Sequence, residues 1–166
     1  MKRFAVIGLG NFGFHAAKAL YEDGNEVVAI DSDKHRVQAI DAFATEAVVL
    51  NATDKEALKS LGLEQMDGVI VSTGTKISTS ILICLFLQEV GVKQILAKAL
   101  DEDHGKILKR VGATQIIYPE RDMAIRISRG LSRPNMLDFI PLAEDFDLVQ
   151  VGPPREFIGK SLKELN

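Results

Sequence analysis

The sequence predicts an α/β fold in which six parallel strands form a doubly wound sheet in the order 3-2-1-4-5-6. Two observations carry this. Short, almost continuously apolar runs alternate with helical patterns through most of the chain, the rhythm of a parallel sheet whose strands are covered on both faces. The first of these runs opens directly into Gly8-Leu9-Gly10-Asn11-Phe12-Gly13, a glycine spacing that joins a strand to a helix through a tight turn.

The strands follow in order. Arg3-Phe4-Ala5-Val6-Ile7 is the first, Glu26-Val27-Val28-Ala29-Ile30 the second and Ala47-Val48-Val49-Leu50 the third. Gly68 to Ser72, Gln94 to Lys98 and Gln115 to Tyr118 are the fourth, fifth and sixth. Between them, helices are expected at Phe12 to Glu22, Lys34 to Phe43, Lys55 to Leu61, Lys76 to Val90 and Glu102 to Val111, with a last one at Glu120 to Leu131. Asp33 and Asp54 stand where N-caps belong. Gly24, Gly62, Gly91 and Gly112 stand just past helix ends, and Pro134 follows the last helix. Within that helix Met123, Ile127 and Leu131 share one stripe, a core or dimer seam.

Beyond residue 133 the rhythm changes. Ser132-Arg133-Pro134-Asn135 breaks the pattern, and Asp138 to Leu142 and Phe146 to Val151 read as two short strands. Gly152-Pro153-Pro154 breaks it again, and Phe157 to Asn166 resembles the start of a further folded unit that stops before it has a core. The expected division is a nucleotide-binding domain over 1–133 and a linker with a truncated second domain over 134–166. The chain reads as a fragment of a longer protein, or as one that needs a partner there.

Composition narrows the function. The 166 residues carry a formal net charge of −3 and no basic block, so nucleic acid is not the expected partner. An anionic ligand must be caught by local geometry rather than by a positive field. The single cysteine, Cys84, excludes an internal disulfide and a cysteine zinc cage, and its apolar setting from Ile81 to Leu87 reads as core. That run is far short of the roughly 18 apolar residues a bilayer span needs, so no direct membrane insertion is expected. A cytoplasmic protein is the reading.

The glycine pattern carries the chemistry. Gly8 lets the chain turn, Gly10 lets backbone approach a phosphate, and Gly13 allows the helix to pack on the strand. Free N–H groups in the first turn, with Leu9, Asn11 and Phe12 completing the loop, then stabilise phosphate oxygens. About 20 residues on, the pattern expects an acid at the end of the second strand, and Asp31 is there. Its carboxylate accepts from the hydroxyls of an adenosine ribose and repels a 2′-phosphate. Ser32 follows where an arginine would favour NADP. The expected cofactor is therefore an adenine nucleotide with a free ribose: NAD(H), ATP, ADP or AMP. Asp33 is a cap or a second ribose contact. Two further strand ends face the same crevice: Asn51-Ala52-Thr53, placed to read the adenine edge, and Ser72-Thr73-Gly74, placed to line the second phosphate or sugar or to serve as ordinary loop.

A dehydrogenase would also need a substrate pocket and an acid–base group. The three histidines are scattered: His35 and His104 read as exposed helix residues, and His15 lies near the loop. No nucleophile–base constellation and no metal-ligand spacing is apparent. The alternative is an NAD-dependent oxidoreductase fragment that lacks its substrate domain.

Taken together, Phe4 to Gly13, Val27-Val28-Ala29-Ile30-Asp31, the Asn51-Ala52-Thr53 turn and Ile117-Tyr118-Pro119-Glu120-Arg121-Asp122 resemble the RCK/KTN domain, the regulator of potassium conductance of the TrkA/KtrA N-terminal type. The resemblance spans about residues 2 to 133. The tail, with Phe157-Ile158-Gly159-Lys160-Ser161-Leu162, resembles the beginning of that family's C-terminal ligand-binding domain. The resemblance implies a Rossmann-like nucleotide-binding gating subunit of a potassium uptake system. It further implies homodimers assembled into an octameric ring under a membrane K⁺-translocating subunit, peripheral to the inner face of the membrane. Glu120 matches a glutamate that in some members helps bind a divalent cation or a phosphate-proximal site at the dimer interface; it also reads as a first-turn helix acid. ATP-sensing members commonly carry arginine between the second and third glycines, where this chain has Asn11. Lys98, at the end of the fifth strand, is a substitute source of positive charge or a solvated strand end.

Overall fold

A computed structural model of the chain describes residues 1–73, 76–132, 136–143, 146–153 and 155–165. By contact the chain divides into two compact units, Met1–Tyr118 and Pro119–Asn166. The sequence expects the first unit to run to residue 133; by contact the last helix groups with the hairpin that follows it.

In the first unit, β1 (Arg3–Ile7), β2 (Glu26–Asp31), β3 (Glu46–Val49), β4 (Gly68–Val71), β5 (Ile95–Lys98) and β6 (Gln115–Ile117) form one sheet in the order 3-2-1-4-5-6. Every neighbouring pair is parallel. The connecting helices are α1 (Asn11–Glu22), α2 (Lys34–Ile40), α3 (Lys55–Lys59), α4 (Ile77–Glu89) and α5 (Glu102–Arg110). The fold class expected from the sequence is the one observed.

The pleat explains why the strands read as continuously apolar. Along β1, Ala5 and Ile7 enter one core with Ile83 and Leu87 of α4 and Leu108 of α5. Val6 points the other way, into a core with Ala17 of α1 and Val37 and Ile40 of α2. A strand with both faces buried has no polar side to show.

Element ends deviate where local chemistry intervenes. Asp33 and Asp54 are N-caps as expected, accepting from the N–H groups of His35 and Ala57 at 2.8 and 3.1 Å. The second helix narrows to a 3₁₀ turn over Asp41–Phe43, and a further 3₁₀ turn at Leu63–Gln65, absent from the sequence reading, sinks Leu63 completely. Gly24 closes α1 at φ +81°. Cys84 is fully buried, and burial pushes its thiol up to about 12, so it stays protonated and unreactive.

His104 corrects an expectation. It is not an exposed helix residue; only 2% of it is accessible. Its Nδ1 accepts from the Leu100 N–H at 3.2 Å, which leaves the proton on Nε2. Nε2 lies 2.9 Å from Ser80 Oγ, which in turn donates to the Ile77 carbonyl at 2.9 Å. The relay ties the start of α4 to the start of α5. Periodicity misled because α5 needs an inward polar residue at that bend, which hydrophobic patterning cannot register. Burial holds the imidazole below its ordinary 6.5, opposed in part by the Asp101 carboxylate. The linkage follows. As pH falls through 6.5 the unfolded chain takes up a proton that the folded chain refuses, so stability drops until the folded value is passed. Denaturant unfolding at about pH 7.5 and about pH 5 should show wild type losing more stability on acidification than His104→Gln.

The second unit comprises α6 (Pro119–Ser132), β7 (Met136–Ala143) and β8 (Phe146–Val151). The two strands pair as an antiparallel hairpin. Short 3₁₀ turns follow at Arg155–Phe157 and Leu162–Glu164. Along α6 the stripe of Met123, Ile127 and Leu131 is exposed, Leu131 by 80%.

Candidate functional site

The sheet order places β1 and β4 side by side at the point where connecting helices change faces. Helices α1 and α2 pack on one face, α3 to α5 on the other. In open α/β sheets a ligand binds outside the carboxyl ends of the strands at such a point. Gly8 leaves β1 at φ +93°, donating its N–H to Ile30 at 2.8 Å, and Ser72 leaves β4 donating to Ile7 at 2.8 Å.

The three glycines are required for different reasons. A Cβ on Gly8 would lie 2.8 Å from the Ser72 and Thr73 backbone. A Cβ on Gly13 would overlap the carbonyl oxygen of Gly8. The fold itself explains both. Gly10 differs: its backbone, φ −67° and ψ −171°, suits any residue, and a Cβ would meet nothing nearer than the Arg36 guanidinium at 3.9 Å. Packing within the chain does not require position 10 to be glycine. Gly10 is also the N-cap of α1, and no side chain caps the helix. The first turn thus presents its N–H groups and the positive end of the helix dipole beside open space.

Asp31 closes the other side. It is 9% exposed, and its Oδ2 accepts from the Leu9 N–H at 2.7 Å while Oδ1 accepts from the Asp33 N–H at 2.9 Å. A carboxylate offers about four lone-pair sites, so acceptor capacity remains for a sugar. The bond to Leu9 fixes the glycine loop to the end of β2, so loop and acid hold a set distance. Arg36, from α2, was not among the residues the sequence pointed to. Its guanidinium lies 3.6 Å from Asp31 Oδ2 and 3.7 Å from Asp33 Oδ2. The signal available was its place three residues after the Asp33 cap, a spacing that brings side chains together on one helical face.

The remaining expected residues distribute unevenly. Asn51 Oδ1 accepts from the Thr53 N–H and hydroxyl at 3.1 and 2.8 Å, folding the turn upon itself, with Ala52 buried beneath. Ser72 is buried, and the Thr73 hydroxyl oxygen is enclosed without a hydrogen-bond partner among the described residues. A buried, unpaired hydroxyl at this strand end fits a ligand atom that completes it. Gly74 lies outside the described residues. Ser32 is exposed, and Lys98 ends β5 partly buried. Glu120 stands in the first turn of α6, in the second unit. Among the described residues no group of three or more His, Cys, Asp or Glu is arranged to hold a metal ion. Ser80 and His104 do meet, but the imidazole donates to the hydroxyl and cannot serve as its base.

Comparison with known proteins bears on this geometry. The TrkA-N domain family model matches residues 4–119. Ktr system potassium uptake protein C of Bacillus subtilis is 44% identical over 165 residues, 99% of this chain and 75% of the relative. Ktr system potassium uptake protein A of the same organism is 41% identical over 99% of this chain and 74% of its own length. The fold is shared with the NAD(P)-binding domain of an exopolyphosphatase-related protein from Archaeoglobus fulgidus, at a TM-score of 0.70 and 19% identity, covering 80% of this chain and 98% of that one. It is shared too with the GsuK channel bound to NAD, at a TM-score of 0.65 and 16% identity, covering 74% and 22%. The Kef C-terminal domain of Shewanella denitrificans in its AMP-bound form gives a TM-score of 0.65 and 19% identity, covering 78% of each chain. No helix among the described residues is long and apolar enough to cross a membrane. The family model and the Ktr relatives agree, and the chain belongs to the TrkA-N domain family.

Proposed function

We propose that this chain is a non-catalytic, nucleotide-responsive regulatory subunit of a potassium uptake system. The observation that carries the nucleotide part is Gly10: backbone left bare where the protein does not need it bare, beside uncapped N–H groups and a tethered acid. The Ktr relatives, which are potassium uptake proteins, carry the potassium part, and proteins of the same fold hold NAD and AMP.

In this reading the diphosphate rests on Gly8 to Gly13, the ribose hydroxyls donate to Asp31, and the Asn51–Thr53 turn borders adenine. The Thr73 hydroxyl, with Ser72 and Lys98, lines the far phosphate or sugar. A bound nucleotide joins residues from both faces of the sheet. It therefore favours whichever arrangement of the site keeps them at the right separation, and that differential affinity is the coupling energy. The exposed stripe of Met123, Ile127 and Leu131 serves as a homodimer seam, dimers assemble into an octameric ring beneath the K⁺-translocating membrane subunit, and Glu120 contributes to a divalent-cation site.

Thermal denaturation with AMP, ADP, ATP, NAD⁺ and NADH tests the reading. A preferred nucleotide at a hundred-fold excess over Kd should raise Tm by roughly 5–10 °C. Gly10→Ala should keep the ligand-free Tm within about 2 °C, since its Cβ has room, yet lose the ligand-induced rise. No rise in wild type with any of the five sinks the proposal.

A further inference from the structure

The buried imidazole of His104 lies between the starts of two helices. Its Nδ1 accepts from the Leu100 N–H at 3.2 Å, and its Nε2 is 2.9 Å from Ser80 Oγ. Ser80 is itself buried, and its hydroxyl donates to the Ile77 carbonyl at 2.9 Å in the first turn of α4. Three peptide links join Thr73 to Lys76, the N-cap of that helix, a reach of at most about 11 Å. Ser72 and Thr73 are in turn pressed against the glycine loop. A Cβ on Gly8 would lie 2.8 Å from the backbone of both, and one on Gly13 would lie 3.3 Å from Ser72 Cβ. The imidazole therefore helps to set where α4 begins, and the start of α4 limits where the end of β4 can stand against the loop.

We propose that His104 is a positioning residue for the nucleotide site, a role that rests on the nucleotide reading above: through Ser80 it holds the start of α4, and with it the Ser72–Thr73 strand end, so that a proton on the ring and a nucleotide on the loop oppose each other. A neutral imidazole accepts at one nitrogen and donates at the other. A charged ring carries a proton on both, and its Nδ1–H then meets the Leu100 N–H donor against donor. The ring must turn out of that contact, which strands a buried N–H and loosens the hold on Ser80. A nucleotide that bridges the loop and Thr73 needs that hold, so it selects the neutral ring and expels the proton. Burial already disfavours the charged ring, and the Asp101 carboxylate opposes this in part. The other ionisable groups on the elements around it are Lys76 and Cys84 of α4, Lys98 at the end of β5, and Tyr118 after β6, whose hydroxyl abuts Gly105. All of these residues belong to the first unit.

The experiment is calorimetric titration at about pH 7.5 and about pH 5 into wild type, His104→Gln, Ser80→Ala and the double variant. The ligand is whichever of AMP, ADP, ATP, NAD⁺ and NADH binds wild type tightest, and circular dichroism confirms that each protein is folded at both pH values. Titration of the ligand and of the other ionisable groups is common to all four proteins and drops out of the comparison. On acidification wild type should lose at least about three-fold more affinity than His104→Gln. Ser80→Ala keeps the imidazole but cuts its link to α4, so it should lose the extra pH dependence too. The double variant should bind within about two-fold of the weaker single one, because the two side chains act in series. A pH dependence in His104→Gln equal to that of wild type would overturn the proposal. So would the full dependence in Ser80→Ala, since the imidazole would then reach the site by another route. Should His104→Gln fail to fold, Ser80→Ala carries the same test. If wild type binds none of the five nucleotides, the nucleotide reading itself has failed; binding without the extra pH dependence removes only the role of His104.

Discussion

Gly13→Ala should be the most damaging single-methyl change in the protein. The added carbon would overlap the carbonyl oxygen of Gly8, with Ser72 Cβ 3.3 Å away on another side. Neither neighbour is the end of a flexible side chain. One is backbone held by the Gly8 N–H bond to Ile30, and the other belongs to a buried residue. The relief available is to lift α1 off β1, which opens the core around Val6 and Ala17. The expected cost lies at or above the upper end of the ~1–3 kcal/mol typical of overpacked interiors, a fall in Tm of about 10 °C. Scanning calorimetry of Gly13→Ala beside Gly10→Ala makes the comparison direct. The two glycines sit three residues apart in one motif, and only the first substitution should unsettle the fold. Similar melting temperatures for both would refute the packing account.

Asp31→Ala should damage both stability and binding, and the two losses can be separated. Deleting the carboxylate strands the N–H groups of Leu9 and Asp33, which it accepts at 2.7 and 2.9 Å in a site only 9% exposed. Orphaned donors of this kind cost about 1–3 kcal/mol each when buried; urea denaturation should report a loss of about 2–4 kcal/mol. Nucleotide affinity should fall about a hundred-fold, the worth of two hydrogen bonds to a charged acceptor. Asp31→Asn keeps the shape and one acceptor but turns its NH2 toward the other N–H donor, so it should recover only part of the stability and little of the preference for a free ribose. An alanine variant that binds ADP as wild type does would remove Asp31 from the site.

Much of this was legible before any coordinates. Strand order follows from the alternation of apolar runs and helices, because a right-handed crossover leaves a parallel sheet few other ways to grow. Gly8, Gly13 and Asp31 follow from a motif whose spacing encodes a turn, a close contact and a strand end. What escaped was of another kind. His104 was misplaced because a buried imidazole, satisfied by Leu100 and Ser80, leaves no apolar signature. Arg36 was missed because a charged residue on a helix surface is unremarkable until its partners are known, and those partners come from a strand end and a cap. The motif assigns Gly10 to the approach of a phosphate, but only the space around each glycine shows that Gly8 and Gly13 are required by the chain's own packing and Gly10 is not.

The two cores on either side of the sheet differ in size. Among the described residues, seven buried ones form the core beneath α1 and α2 and eighteen the one beneath α3 to α5. Cooperative opening begins where least apolar surface holds an element down, so the half that carries the glycine loop is the half that frays first. In the proposed function, a nucleotide would bond to that weaker half at the loop and to the stronger one at the end of β4. Its binding energy is then spent on the segment with the lowest resistance to opening. In this architecture a small solute acts as a missing piece of core, and its departure would be felt first in the mobility of α1 and α2.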